Sequence, residues 1–203
     1  PGRVWLDKNR DGRFTPEELV LDGGKGRVTM ADKTATVAAN PSIQVLSRNA
    51  LHVVVRVSSN AEFPEDKATL SGAYDLHVYL NQPFLRVLHT WTNTNTASEW
   101  TQLQSWDLMS PAAVGAGAQV AAGGLDGALG VSAGPVSVDQ PFDNAFTVTQ
   151  QGRTVARGEK AEGWLDLSGS DGGVTVALRD FWQLYPKRLT AGTDSNGRST
   201  VTV

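Results

Sequence analysis

The chain contains no cysteine, which excludes a disulfide framework and any thiolate metal site. Sustained helical periodicity is also missing. The best short candidates for helix are residues 16–21 and, more faintly, 180–184. No apolar run is long enough to cross a membrane, because the Ala- and Gly-rich segment 112–138 is broken by glycines and by Asp126. Segment 112–138 reads instead as short strands and a mobile loop. No secretory leader is recognisable. The chain opens at Pro1 and closes on Thr200-Val-Thr-Val203 in what reads as mid-strand, so it is expected to be a piece of a longer protein.

Charge of one sign is scarce too. The formal net charge is −3 and the densest cationic group is the pair Lys187-Arg188, which argues against a nucleic-acid surface. The only histidines are His52, His77 and His89, and they lack metal-ligand spacing. His77 and His89 are expected to approach each other across a hairpin as hydrogen-bonded or surface residues. There is no Ser/His/Asp order, no Gly-x-Ser-x-Gly elbow and no phosphate-cradling glycine loop. The carboxylates of Glu17, Glu18, Asp107 and Asp126 show no pairing that would indicate glycosidase chemistry.

What is present points to strands. Apolar residues make up 40% of the 203 positions, enough for a core, and 21 glycines indicate many turns. Period-2 or continuously apolar patterns mark residues 27–37, 43–46, 50–57, 74–80 and 84–92. Leu51, Val53, Val55 and Val57 share one face of their strand, opposite His52 and Arg56. Asn81-Gln-Pro83 is a turn signal, so residues 74–80 and 84–91 form an antiparallel hairpin. Gln151-Gly152 is a second turn, flanked by strands at 146–150 and 153–156. Trp164, Leu165 and Leu167 precede a loop at 168–173, after which Val174, Val176 and Leu178 alternate with Thr175, Ala177 and Arg179. Many short strands with turn signals between them predict an all-β antiparallel β-sandwich. Residues 1–35 are expected to close a preceding β domain, and residues 36–203 to form a central β-sandwich.

The N-terminal segment carries the sharpest chemical motif. Asp7-Lys-Asn-Arg-Asp-Gly-Arg-Phe-Thr-Pro-Glu-Glu18 reads as a twelve-residue calcium loop, with oxygen side chains on Asp7, Asn9, Asp11, Thr15 and Glu18. Gly12 falls where the sharp turn is needed, and the Arg13 carbonyl supplies a backbone oxygen. Calcium takes roughly six to eight oxygens, and this spacing lets them converge from one short stretch. The alternative is an acidic turn with Asp7 and Asp11 solvated. The strand-like flank before the loop and the absence of a second loop argue against a paired sensor, so the predicted role of calcium is structural.

Two further groups of residues are candidates for binding or catalysis. Tryptophan faces can stack on sugar rings. Trp100 and Trp106, surrounded by polar residues, are expected to be the exposed pair, with Trp182 a third candidate and core packing the alternative for each. Arg179, Tyr185 and Lys187 form the most enzyme-like polar set. The competing reading pairs Arg179 with a carboxylate and packs Phe181, Trp182 and Tyr185 on a sheet edge.

The run Ala161-Glu-Gly-Trp-Leu-Asp-Leu-Ser168, followed by Gly172-Gly-Val-Thr-Val-Ala-Leu-Arg-Asp-Phe-Trp-Gln-Leu-Tyr-Pro-Lys187, resembles exo-rhamnogalacturonan lyase-like (YetA-like) proteins. Leu76-His-Val-Tyr-Leu-Asn-Gln-Pro-Phe-Leu-Arg-Val-Leu-His-Thr90 is similar to a hairpin of the same family, in the same order along the chain. The resemblance implies a β-barrel-like domain, then a central β-sandwich, then an α/α toroid bearing most of the active site. It further implies secretion or export to the periplasm, and β-elimination on rhamnogalacturonan, a pectin polysaccharide. In that reaction a base takes the proton α to the galacturonate carboxylate while a cation, arginine or lysine neutralises that carboxylate. Arg179, Tyr185 and Lys187 are chemically suited to such roles. The calcium-type loop is not carried over from the family and rests on its own spacing. A calcium-stabilised carbohydrate-binding module and a purely structural β-sandwich are the alternatives.

Overall fold

A computed structural model of the chain describes residues 2–30, 33–36, 41–63, 68–94, 100–123 and 134–203. Among the described residues strand is the dominant structure, every ladder is antiparallel, and no helix is long and apolar enough to cross a membrane. The all-β sandwich expected from the alternation is what forms. Two compact units are present, Lys25–Asp107 and Gly2–Gly24 with Leu108–Val203. They group residues by contact and cut the chain elsewhere than the expected 1–35 and 36–203 partition, which assigns parts of the chain to domains of a longer protein.

The second unit is a two-sheet sandwich. Its strands are β1 (Val4–Trp5), β2 (Leu19–Leu21), the later part of β9 (Leu103–Ala112), β10 (Gln119–Ala122), β11 (Val136–Phe142), β12 (Ala145–Gln150), β13 (Arg153–Gly158), β14 (Trp164–Gly169), β15 (Gly172–Ala177), β16 (Lys187–Thr193) and β17 (Ser199–Thr202). One sheet runs β1-β2-β9-β17-β16-β11-β12-β13, and the other is β10-β14-β15. Alternate residues of both sheets form one core. Val138, Val148 and Leu189 come from the large sheet, and Val120, Leu165 and Leu167 from the small one. Leu165, Leu167 and Leu189 are fully enclosed. Each such leucine contributes about 1.5–3 kcal/mol through removal from water. Gln140 is also fully buried. The two hydrogens of its amide nitrogen are shared among the carbonyls of Phe142, Ala145 and Glu159, and its oxygen accepts the N–H of Ala161 at 2.9 Å. A buried amide is tolerated only when its hydrogen-bonding capacity is used in this way.

Local turn chemistry sets the hairpins of this unit. Gln151 and Gly152 both have positive φ, 49° and 77°, the combination that a two-residue turn between β12 and β13 requires. The expected loop at 168–173 contracts to Ser170-Asp171, because Ser168, Gly169, Gly172 and Gly173 all join the β14–β15 ladder. Residues 16–21 do not continue as a helix. Pro16–Glu18 makes one 3-10 turn, and Leu19–Leu21 then pairs with β1 and β9 while Val20 and Leu21 pack on the core. Burial of those two side chains outweighs helical propensity, a tertiary effect that the local pattern does not contain. Residues 180–184 form a single turn closed by the Leu184 N–H on the Asp180 carbonyl at 2.9 Å.

The first unit is built on the sheet β5-β6-β7-β8, with β5 Ser42–Arg48, β6 His52–Phe63, β7 Ala68–Tyr79 and β8 Leu85–Asn93. The stretch 27–37 proves to be parts of two strands, β3 (Lys25–Met30) and β4 (Lys33–Thr36), paired as a hairpin. The predicted hairpin at 74–91 is present as β7 and β8, in the register His77↔Arg86 and Tyr74↔His89. A small core of Val28, Met30, Ala61, Phe63 and Leu70 is flanked by Leu103 and Trp106. The unbroken β6–β7 register puts Val53, Val55 and Val57 on one face and His52 and Arg56 on the other, as read from the sequence. Val54, on the face of His52 and Arg56, is the buried valine, while Val53, Val55 and Val57 are half-buried. Within the expected mobile segment, β10 and the start of β11 are strands, and residues 124–133 lie outside the described residues.

Candidate functional site

The acidic loop folds on its own hydrogen bonds. The Asp7 carboxylate accepts the N–H groups of Asp11 and Gly12, at 3.1 and 2.9 Å, and Asp11 accepts that of Arg13 at 2.8 Å. Asn9 accepts from Asp11 N–H at 3.0 Å and donates to the Asp11 carboxylate at 3.2 Å. Arg10 and Gly12 take positive φ, 61° and 75°, which lets the chain double back at the predicted sharp turn. Glu18 is buried, and its two oxygens accept the N–H groups of Lys8 and Thr15, at 2.9 and 3.1 Å. Glu18 therefore clips the loop shut through the backbone. Among the described residues, no three of His, Cys, Asp or Glu are grouped to hold a metal ion. Lys8 ties the loop to the β14–β15 turn, its ammonium donating to the Asp171 carbonyl at 2.7 Å.

The second candidate is the turn between β15 and β16. Phe181 is buried against Gly163, where φ is +77° and a Cβ would stand 2.2 Å from the Phe181 Cβ. The Lys187 ammonium donates to the carbonyls of Arg179 and Asp180, at 2.9 and 3.1 Å. Partial burial lowers the pKa of this lysine, with Asp180 pulling it the other way. Arg179 is 84% exposed and pairs with Asp180 at 3.3 Å, and Tyr185, before a cis proline, is exposed. Arg179, Tyr185 and Lys187 are thus neighbours along one turn whose polar groups do not converge on a shared point. Lys187 is a strut of the turn.

Beside this turn lies an open groove of about 300 Å³, lined by Lys160, Ala161, Glu162, Asp180, Phe181, Trp182 and Gln183. The Lys160 ammonium sits 4.3 Å from the centre of the Trp182 ring, a cation–π contact. Glu162 accepts the indole N–H of Trp164 at 2.8 Å. Lys160 and Glu162 were not legible as site residues, because nothing local links them to a turn some twenty positions on.

In the first unit, Trp106 is not the exposed platform its polar neighbours suggest. Its ring lies over Gly72, where a Cβ would come within 2.7 Å, and its N–H donates to the Tyr74 hydroxyl at 3.1 Å. Trp100 is 82% exposed, as expected. The histidine pairing also differs from expectation. His77 meets His52, with Nδ1 and Nε2 3.1 Å apart, while His89 stacks on Tyr74 on the opposite face of the sheet. The β7–β8 register forces this outcome, because His77 is paired with Arg86 and His89 with Tyr74. One step along from the histidine pair, Arg56 holds Asp75 through two hydrogen bonds of 2.6 and 2.7 Å. That bonding lowers the Asp75 pKa below its usual value.

An antiparallel sandwich carrying an aromatic turn, with no convergent catalytic set among the described residues, defines a β-sandwich module. Comparison with known families sharpens this. Residues 147–203 match the family model for the PcRGLX-like protein central beta sandwich domain. The resemblance carried by residues 161–187 is borne out within that span, which runs from β12 to the end of β17. No curated protein sequence matches the chain.

Proposed function

We propose that this chain is the accessory central β-sandwich of a secreted or periplasmic polysaccharide lyase-like protein that cleaves rhamnogalacturonan by β-elimination. The observation that carries the reading is the family-model match over residues 147–203. The turn within that span supports an accessory rather than a catalytic role. Its lysine is committed to two carbonyls and its arginine to the neighbouring Asp180. The elimination itself requires a base at the proton α to the galacturonate carboxylate and a positive charge on that carboxylate, and the glycosidic oxygen leaves from the β carbon. Those groups belong to a toroid domain of the parent, the sandwich's partner in the same protein. The test is the appearance of unsaturated uronate by ultraviolet absorbance. The parent should generate it from rhamnogalacturonan and the isolated chain should not. Product from the isolated chain would overturn the reading.

Calcium is the cofactor we propose for the acidic loop, held by Asp7, Asn9, Asp11, the Arg13 carbonyl, Thr15 and Glu18. Its support is the ligand spacing together with the loop closure by Asp7 on the Gly12 N–H. Glu18 would have to exchange its backbone bonds for the ion. A chelator should lower the melting temperature, and Asp7→Ala should remove that difference; an unchanged melting curve would reduce the loop to a turn.

Direct carbohydrate binding is the second reading, favoured by the groove in which Trp182 sits beside Lys160, Glu162 and Gln183. Trp182 would supply the stacking face of this groove, Trp100 is a separate exposed candidate in the first unit, and Trp106 is committed to Gly72 and Tyr74. Titration with rhamnogalacturonan oligosaccharides should quench tryptophan fluorescence, and Trp182→Ala should abolish the change. No quenching of the unsubstituted chain would dismiss this reading.

A further inference from the structure

With no cysteine and three histidines, imidazole is the only strong nitrogen or sulfur side-chain ligand the chain offers to a late first-row cation. Two of the three imidazoles face each other. His52 opens β6, where Asn49 accepts its backbone N–H at 2.9 Å and thereby fixes the strand's start. In the β6–β7 ladder His52 is opposite Tyr79 and His77 is opposite Val54, so the histidines are diagonal neighbours on one face. The His52 ring is stacked on Tyr79, with centroids 4.5 Å apart and planes 12° from parallel. Its Nε2 lies 3.1 Å from Nδ1 of His77, a separation bridged by a single proton.

We propose that His52 and His77 form a cross-strand chelating site for Cu²⁺, Ni²⁺ or Zn²⁺, with water in the remaining coordination positions. Metal–imidazole bonds are about 2.0–2.1 Å long. Two nitrogens on one ion, at angles from a right angle to tetrahedral, therefore lie about 2.9–3.4 Å apart. The observed spacing falls inside that range, so an ion can replace the shared proton once the two rings turn to aim both nitrogen lone pairs at it. The surrounding charge selects the kind of ion. Arg56 is neutralised by Asp75, and Arg86 stands opposite His77 on β8. A hard cation held by Coulomb attraction to oxygen gains nothing beside Arg86, whereas a cation that bonds to imidazole nitrogen does. Bound there, the ion links β6 to β7 and stabilises their pairing.

Titration of the chain near neutral pH with NiCl₂ or CuCl₂ tests the site. One equivalent should bind, the melting midpoint should rise by a few degrees, and the Cu²⁺ spectrum should report nitrogen ligands. His52→Gln and His77→Gln each remove one of two direct ligands and should weaken binding at least as much as losing a supporting outer-shell partner does, about tenfold or more. His89→Gln should leave it unchanged, and Arg86→Gln should tighten it. Absence of binding, binding retained in both His52→Gln and His77→Gln, or loss in His89→Gln would each overturn the proposal. A measurement on the unsubstituted chain does not depend on variants that fold. Substoichiometric Cu²⁺ should broaden the imidazole proton resonances of His52 and His77 and spare His89, and the reverse order of broadening overturns the site.

Discussion

Gly163 and Gly152 share a φ of +77°, yet replacing them has different consequences. Around Gly152 a Cβ would meet nothing within 4 Å, so Gly152→Ala carries only the left-handed backbone penalty, about 1 kcal/mol. Gly163 cradles Phe181, and Gly163→Ala adds a backbone-level clash that brings the cost to about 3 kcal/mol or more. Paired chemical denaturation of the two variants checks the difference. Asp75 gives a pH signature. Its carboxyl is held below its usual pKa by Arg56, so its contribution to stability is present above about pH 4. It disappears as the pH falls through the depressed value. Asp75→Asn should lower the melting midpoint at neutral pH and leave it little changed in strong acid. Roles of this kind differed in how far the sequence revealed them. The sharp turn at Gly12 follows from a fixed offset within one loop. That Trp106 lies over Gly72, or that Lys187 is spent on two carbonyls, depends on strand register and turn geometry that no local pattern encodes.

Hairpins were the most legible elements because their information is local. Asn81 with Pro83, and Gln151 with Gly152, each mark a reversal flanked by alternating residues, and both reversals occur where they were expected. Reading failed where a distant partner decides. Leu19–Leu21 becomes a strand because β1 and β9 offer it a ladder, and the loop at 168–173 shrinks because four of its residues find cross-strand partners. The 3-10 turn before β2 makes its own prediction. Glu18→Ala leaves the N–H groups of Lys8 and Thr15 without their acceptor and should cost about 1–3 kcal/mol, measured by denaturant unfolding. The loss should persist in excess chelator, because the backbone clip does not depend on an ion.

Composition and periodicity sufficed to specify an all-β molecule, and the aromatic turn to specify its family likeness. They did not reveal that the N-terminal segment joins a strand from the middle of the chain and packs against residues from its far end. β2 adds to β9, Val20 and Leu21 pack on the core with Leu165 and Leu189, and Lys8 reaches Asp171. Deleting residues 1–24 should therefore lower the melting midpoint of the remainder and raise its binding of a hydrophobic dye. A truncated chain with an unaltered midpoint would show those contacts to be dispensable. The same long-range closure explains why a motif confined to residues 161–187 could identify a domain type and yet not a site. It encodes a turn and its supports, while the groups a site requires come from wherever the topology delivers them.

Gln140 extends this to motion. Amides in connections between strands ordinarily exchange with solvent deuterium quickly, since they lack ladder partners. The Ala161 amide lies in such a connection, yet it is buried and bonded to the oxygen of Gln140, whose amide nitrogen is in turn held by backbone carbonyls. Its proton should exchange as slowly as those of β12 and β16, an isolated protected site in an otherwise labile stretch. Gln140→Leu should speed that exchange by orders of magnitude while β6 and β7 keep their rates. A single deuterium uptake curve at Ala161 would then report how often the core of the β11–β14 region opens.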